Sequence, residues 1–211
     1  MLIELNHIIP SPIPRKLVDL SELWNTQTLI KPNSSILISA KSGMGKSTLL
    51  HLLFGLRKDF SGSLTINGKD SAGFTFEDWE MIRRGSISLL FQDLRLFPNL
   101  SASENINLIP QVNPSVPSVQ EMASRLGVID FLSQSVSTLS HGQRQRVALI
   151  RTLRKPFRLL LLDEPFSHLD SDNQSHACSL IKEIIDNNKA GLILSTLGLV
   201  PEISFDQKYS L

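Results

Sequence analysis

An α/β fold, with a mostly parallel sheet, an antiparallel β subdomain and an inserted helical subdomain, is what this 211-residue chain predicts. Three observations carry that prediction. The run Ser35-Ile36-Leu37-Ile38-Ser39 leads through a glycine loop into Leu49-Leu50-His51-Leu52-Leu53-Phe54, the order of a buried parallel strand, a tight turn and a buried helix. A second apolar run, Leu159-Leu160-Leu161-Leu162, ends in Asp163-Glu164. Between Gln92 and Leu139, Pro98, Pro110, Pro114 and Pro117 punctuate short helical segments.

Residues 2–9 read as a strand, and Pro10, Pro12 and Pro14 then break regular structure. Residues 24–30 read as a strand closed by a turn at Pro32-Asn33. Residues 61–67 with Asn67-Gly68 suit an antiparallel hairpin. Residues 86–91 form a further strand. Ser101-x-x-Glu104 and Ser118-x-x-Glu121 match the capping box, so a helix starts at each, and Gly127 stops the second. The helical subdomain is expected at about 98–137. Beyond it come a strand at 159–163, a helix at about 175–187, a strand at 191–195 and a last short strand at 208–211.

Composition narrows the function. With 41% hydrophobic and 19% charged residues the chain suits one compact domain, and a net charge of +1 gives no electrostatic footprint for nucleic acid. The single cysteine, Cys178, cannot form an internal disulfide and is expected to be a buried, inert thiol. No apolar run approaches the ~18–20 residues that cross a bilayer. Residues 1–16 lack the charged-then-apolar order of a secretion signal. A soluble cytoplasmic protein is expected, with room for docking on a membrane protein.

Three segments carry chemistry. In Ala40-Lys41-Ser42-Gly43-Met44-Gly45-Lys46-Ser47-Thr48, glycines let backbone amides turn around phosphate oxygens, and the following helix aims its positive end at the same anion. Lys46 is placed to reach the β- and γ-phosphates, and Ser47 to offer a hydroxyl to Mg²⁺. Ala40 stands where the usual first glycine would, acceptable if its φ is negative. Asp163 is placed to hold Mg²⁺ and Glu164 to polarise the attacking water. Leu139-Ser140-His141-Gly142-Gln143 contains a third capping box, Ser140-x-x-Gln143, and so marks a helix N-terminus, a ready anion site.

Taken together, these segments resemble the ATP-binding cassette (ABC) ATPases, and the resemblance runs over almost the whole chain. It implies a P-loop NTPase core and a single nucleotide-binding domain over residues 1–211. It identifies Leu139 to Gln143 as the signature loop, Gln92 as the Q-loop glutamine that also meets the metal, and Ser167-His168-Leu169-Asp170 as the D-loop, with Asp170 at the nucleotide. In that family two cassettes pair head to tail. Each ATP lies between one phosphate loop and the other copy's signature helix, so ATP and Mg²⁺ are the implied cofactors. The implied partners are a second cassette and an integral membrane subunit, with no nucleic acid. The implied location is the inner face of the cell membrane. The run from Gln92 to Ser101 is similar to small cassettes serving lipoprotein release, cell division and macrolide efflux. There Leu94, Leu96 and Phe97 are either the floor of a groove for a membrane subunit's coupling helix or ordinary core.

Two departures stand out. The family places a switch histidine after the strand at 191–195; here Leu197 follows Thr196. Losing one donor to a developing charge costs about 10²–10³ in rate, so slow hydrolysis is expected. No aromatic residue lies near residues 9–14, where the family stacks adenine. His141 in place of the first signature glycine is a mild change. The chain therefore reads either as the energising subunit of a transporter or as a degenerate cassette that binds ATP and supports an active paralogue. A DNA-repair or translation cassette would show coiled-coil arms, zinc cysteines or fused copies, and none is visible.

Overall fold

The computed structural model describes residues 1–211 except Ser42, Leu199 and Val200. Two sheets form the framework. The antiparallel sheet has the order β2-β1-β4-β5, built from β1 (Ile3–Pro10), β2 (Gln27–Ile30), β4 (Phe60–Ile66) and β5 (Lys69–Asp70). The second sheet is parallel throughout, with β3 (Ser35–Ser39), β6 (Ile87–Leu90), β7 (Leu159–Asp163), β8 (Gly191–Thr196) and β9 (Gln207–Ser210) in the order β6-β7-β8-β3-β9. The expected α/β architecture is therefore present.

The leucine run of β7 is apolar at every position because both faces of the parallel sheet are covered. Leu159 and Leu161 point into a cluster with β1, β4 and α2 (Lys46–Leu53). Leu160 and Leu162 point into a second cluster with α4 (Ala102–Asn107), α5 (Val119–Arg125), α6 (His141–Arg154) and α7 (Ser171–Asn188). Period-two alternation thus survives as a choice between two cores rather than between core and water. Leu94 is buried in the second cluster and Leu96 packs against it, so both are core, while Phe97 is exposed.

The expected helix starts are present. Ser101 and Glu104 cap α4 reciprocally, while Ser118 caps α5 through the Glu121 N–H. Gly127 takes a positive φ just beyond α5. Residues 98–137 hold α4, α5, two short 3₁₀ turns and an isolated bridge between Ser101 and Ser135. Four elements differ most from the sequence expectation. β2 starts at Gln27 rather than 24, because Ser21 Oγ accepts the N–H groups of Leu23 and Trp24 and holds them in a turn. α7 starts at Ser171 rather than 175, because Asp170 caps it through the Asn173 N–H. Two helices had no counterpart in the sequence reading: α1 (Arg15–Leu20) and α3 (Phe76–Gly85), the latter closed by a Thr75–Asp78 capping box.

The two-sided burial of β7 predicts that Leu160→Ala and Leu161→Ala each cost about 2–5 kcal/mol. Urea midpoints check this. A strand with one solvated face would tolerate one of the two changes.

Candidate functional site

The site is assembled where strands end. β3, β8 and β7 are neighbours, and their registers put Ser39 beside Thr196 and Ser195 beside Asp163. The chain leaving β3 is tied back by the Ala40 N–H on the Thr196 carbonyl (3.2 Å). The chain leaving β7 is tied by the Glu164 N–H on the Ser195 carbonyl (3.2 Å). The crevice outside the carboxyl ends of parallel strands is where such sheets bind ligands.

Between β3 and α2 the loop turns on Gly43 and Gly45, at φ +81° and +99°. A Cβ at Gly45 would also lie 3.3 Å from the Trp24 indole, so that position is doubly restricted to glycine. Ala40 is not among the left-handed residues, and its methyl is accommodated. Ala40 and Met44 pack against the core, whereas Lys41 and Gly43 are exposed; Ser42 lies outside the described residues. Thr48 Oγ1 accepts a bond from Arg57 (3.2 Å).

Lys46 heads α2 with its side chain 5% exposed. Its ammonium donates to the carbonyls of Ala40 (2.9 Å) and Lys41 (3.2 Å) and pairs with Glu164 Oε1 at 3.2 Å. Glu164 is itself buried, and its φ is +50°. Its carbonyl receives Gln145 Nε2 (2.9 Å) and Ser167 Oγ (3.2 Å). Ser47 Oγ donates to Gln92 Oε1 at 3.5 Å. A cleft of about 180 Å³ is lined by Gly43, Gly45, Lys46, Ser47, Gln92 and Glu164 among others.

Asp163 lies beside a second cavity of about 260 Å³ that Ser47, His51, Gln92 and Arg95 also line. Its Oδ1 accepts a 2.6 Å bond from Ser195 Oγ, while its Oδ2 is buried with no hydrogen-bond partner among the described residues. An unmet buried carboxylate oxygen is costly. Oxygen donors from Ser47, Gln92 and Asp163 suit a hard cation such as Mg²⁺, which keeps waters and substrate oxygens for its other positions. Burial pushes the His51 imidazole below its usual range, with Asp163 pulling the other way.

The residues of 139–143 form a separate patch, joined to the first through Gln145 on α6. Leu139 is buried. Ser140 Oγ accepts the Gln143 N–H (3.2 Å), and Gln143 Oε1 accepts the Ser140 N–H (2.8 Å). As an acceptor there, the Ser140 hydroxyl keeps its own proton for an incoming anion. The His141 and His168 rings lie 3.8 Å apart between centroids, tilted by 37°. Burial, then the neighbouring His168 and Arg144, push the His141 imidazole down. A Cβ on Gly142 would stand 2.8 Å from the His168 carbonyl. Asp170 is occupied as the cap of α7, with both carboxylate oxygens on Asn173 (2.8 and 2.7 Å).

Leu197 follows β8 and is 54% exposed. It lines a cavity of about 130 Å³ with Glu164, Pro165, Phe166, Ser167 and Ser195. Sequence reasoning missed Ser195 and His51 as site residues. The signal for Ser195 was a hydroxyl at the end of an otherwise apolar strand. For His51 it was the fourth-residue spacing from Ser47 on one helix face.

Comparison with known proteins agrees with this geometry. A protein-family profile described as ABC transporter matches residues 23–167. The lipoprotein-releasing system ATP-binding protein LolD of Nitrobacter hamburgensis is 30% identical over 198 residues, 91% of this chain and 85% of the relative. The thiamine import ATP-binding protein ThiQ of Haemophilus ducreyi is 35% identical over 166 residues, 76% of this chain and 75% of the relative. Among solved structures, the dimeric post-hydrolysis state of the ATP-binding cassette MJ0796, bound to ADP and Pi, superimposes with a TM-score of 0.76. It is 25% identical, covering 93% of this chain and 88% of that one. With the family profile matched over residues 23–167 and relatives 30–35% identical along most of their length, the chain belongs to the ABC transporter family as an ATP-binding cassette.

Proposed function

We propose that the chain is the ATP-hydrolysing subunit of a transporter. It pairs with a second cassette around Mg-ATP and drives a membrane partner, with hydrolysis slowed by Leu197. The observation that carries this reading is an Asp163 Oδ2 that has no partner among the described residues, beside Ser47 and Gln92 and next to a lysine held by loop carbonyls and Glu164.

A triphosphate entering the loop competes for Lys46, whose bonds to Ala40 and Lys41 keep it aimed at the glycine turn. As phosphate oxygens take the ammonium, Glu164 is released and its carboxylate is free to accept a proton from an attacking water. Asp163, Ser47 and Gln92 would hold the cation, which when bound offsets charge on the phosphates. Ser195 keeps Asp163 oriented by its 2.6 Å bond. Leu197 presents no donor beside Glu164 and leaves that side of the water unoriented.

The patch of Ser140, His141, Gly142 and Gln143, an exposed and capped helix end, is the surface we assign to the partner cassette's nucleotide. Residues 98–137 are taken as one helical subdomain. A groove of about 420 Å³ between α3 and this region, lined by Phe97, Leu108, Arg83, Arg84, Arg151 and Lys155 among others, is taken as the seat of a membrane subunit's helix. Its basic rim suits an acidic group on that helix. Among the described residues no helix is long and apolar enough to cross a membrane. We therefore place the chain peripherally on the inner face of the cell membrane. A degenerate cassette is the second reading, favoured by Leu197 alone.

Three outcomes are expected. Lys46→Ala should weaken Mg-ATP binding by at least about tenfold, read by calorimetry, because a charge-assisted contact to the phosphates is lost. Glu164→Gln should be dimeric with ATP and monomeric without nucleotide in light scattering; monomers throughout, even with the membrane subunit supplied, would overturn the shared-site reading. Leu197→His should raise the hydrolysis rate of the wild-type chain by about 10-fold or more. An unchanged rate in a chain that already turns over fast would reject the slow-hydrolysis part. No turnover in either protein would favour the degenerate reading.

A further inference from the structure

The segment after Gln92 is held in a form that its own residues disfavour. Leu94 and Arg95 are consecutive non-glycine residues with φ of +59° and +46°. L-residues visit this region singly and at a cost, so two in succession require outside restraint. Inside the turn, the Leu94 N–H reaches the Phe91 carbonyl (2.9 Å) and the Arg95 N–H reaches the Asp93 carbonyl (2.7 Å). The Leu94 side chain is buried in the core that faces α6. The Arg95 guanidinium lies 3.9 Å from the centroid of the Phe91 ring, with its Nε 3.5 Å from Asp93 Oδ1.

The hydrogen-bonded restraint from outside the turn comes from Arg151. Arg151 on α6 donates one guanidinium nitrogen to the Arg95 carbonyl (2.8 Å) and the other to the Leu94 carbonyl (2.6 Å). A planar fork matches two successive carbonyls in a way that a single ammonium cannot. Phe91, at the other end of the turn, is packed on α2, with ring centroids 5.8 Å from His51 and 5.9 Å from Phe54. Gln92 is thus held between an aromatic anchor on α2 and an arginine anchor on α6, at 3.5 Å from Ser47. The same helix α6 begins at the Ser140 cap, roughly 16 Å of helix axis away from Arg151.

We propose that Arg151 is a positioning residue: its fork holds the left-handed turn at Leu94 and Arg95, and through that turn it sets Gln92 against Ser47. Any displacement of α6, whose other end is the patch assigned to the partner cassette, is delivered to Gln92 through this fork. The proposal rests on the reading above, in which Gln92 and Ser47 meet the metal-nucleotide.

The test uses the full chain with Arg151→Met, Arg151→Lys and the double variant Arg151→Met/Arg95→Gly. ATP affinity is measured with and without Mg²⁺, and the rate is followed against Mg²⁺ and against ATP. Supporting groups of this kind are worth roughly 10–100-fold in metal affinity or activity. For Arg151→Met, the Mg²⁺ needed for half-maximal enhancement of ATP binding should rise about tenfold, and kcat should fall by a similar factor. Mg-free affinity and the KM for ATP should change by less than about threefold, because Lys46 and its loop are untouched. Arg151→Lys should be intermediate, and it carries the test if Arg151→Met does not fold. Glycine at position 95 adopts a positive φ unaided, so the double variant should recover most of the loss. A simple packing defect would not be rescued this way. If the wild-type chain binds ATP with no Mg²⁺ dependence, the functional reading fails and this proposal falls with it. If the wild type shows that dependence and the Arg151 variants retain its Mg²⁺ requirement and kcat, or glycine gives no recovery, the positioning role is overturned.

Discussion

A lysine ammonium with almost no access to water has to be met by acceptors, and the arrangement around Lys46 follows from that requirement. Two loop carbonyls and the Glu164 carboxylate meet it at 2.9, 3.2 and 3.2 Å. A buried ion pair of this kind contributes little net stability, since removing both charges from water offsets much of their attraction. Its use lies elsewhere. Each member is held in place by the other, and in the proposed reading an anion with more oxygens takes the lysine and frees the carboxylate. The pair binds the end of β7 to the start of α2, so the phosphate loop and the acidic strand end hold each other in shape.

That contact is possible because of the sheet order. β3 and β7 are separated by a single strand, β8, and the Ser195 hydroxyl at the end of β8 donates to Asp163 Oδ1 and accepts the Glu164 N–H. Covering both faces of this sheet fixes its height relative to α2 on one side and α6 on the other. α6 contributes three times to the site's surroundings. Ser140 caps its start, Gln145 holds the Glu164 carbonyl, and Arg151 holds the turn after Gln92. Burial also fixes the state of Cys178, whose thiol is pushed up to about 11 and stays protonated and inert.

Much of this was legible in the sequence, and the reason is that the legible parts are local. Glycines before Lys46, an apolar run ending in two acids, and hydroxyl-x-x-Glu or Gln spacings all act within a few residues. α3 went unread because its cap pairs Thr75 with Asp78, a shorter acid than the usual Glu. α7 began one turn early because Asp170 served as its cap. The rest depends on contacts across the fold. No spacing rule connects Arg151 to residues 94 and 95, Ser195 to Asp163, or Trp24 to Gly45. The same holds for Leu94 and Leu96 against Phe97: a chain that reads as one apolar stretch divides into core and surface only once the neighbouring helices are placed.

Between the first turn of α6 and the carbonyl of His168 there is room for a hydrogen atom and nothing larger. With the two tilted imidazoles in contact beside this point, the helix start and the segment ahead of α7 are keyed together like a tongue in a slot. Stretches that look independent in the sequence therefore present one joined relief, and a companion molecule would meet both at once or neither.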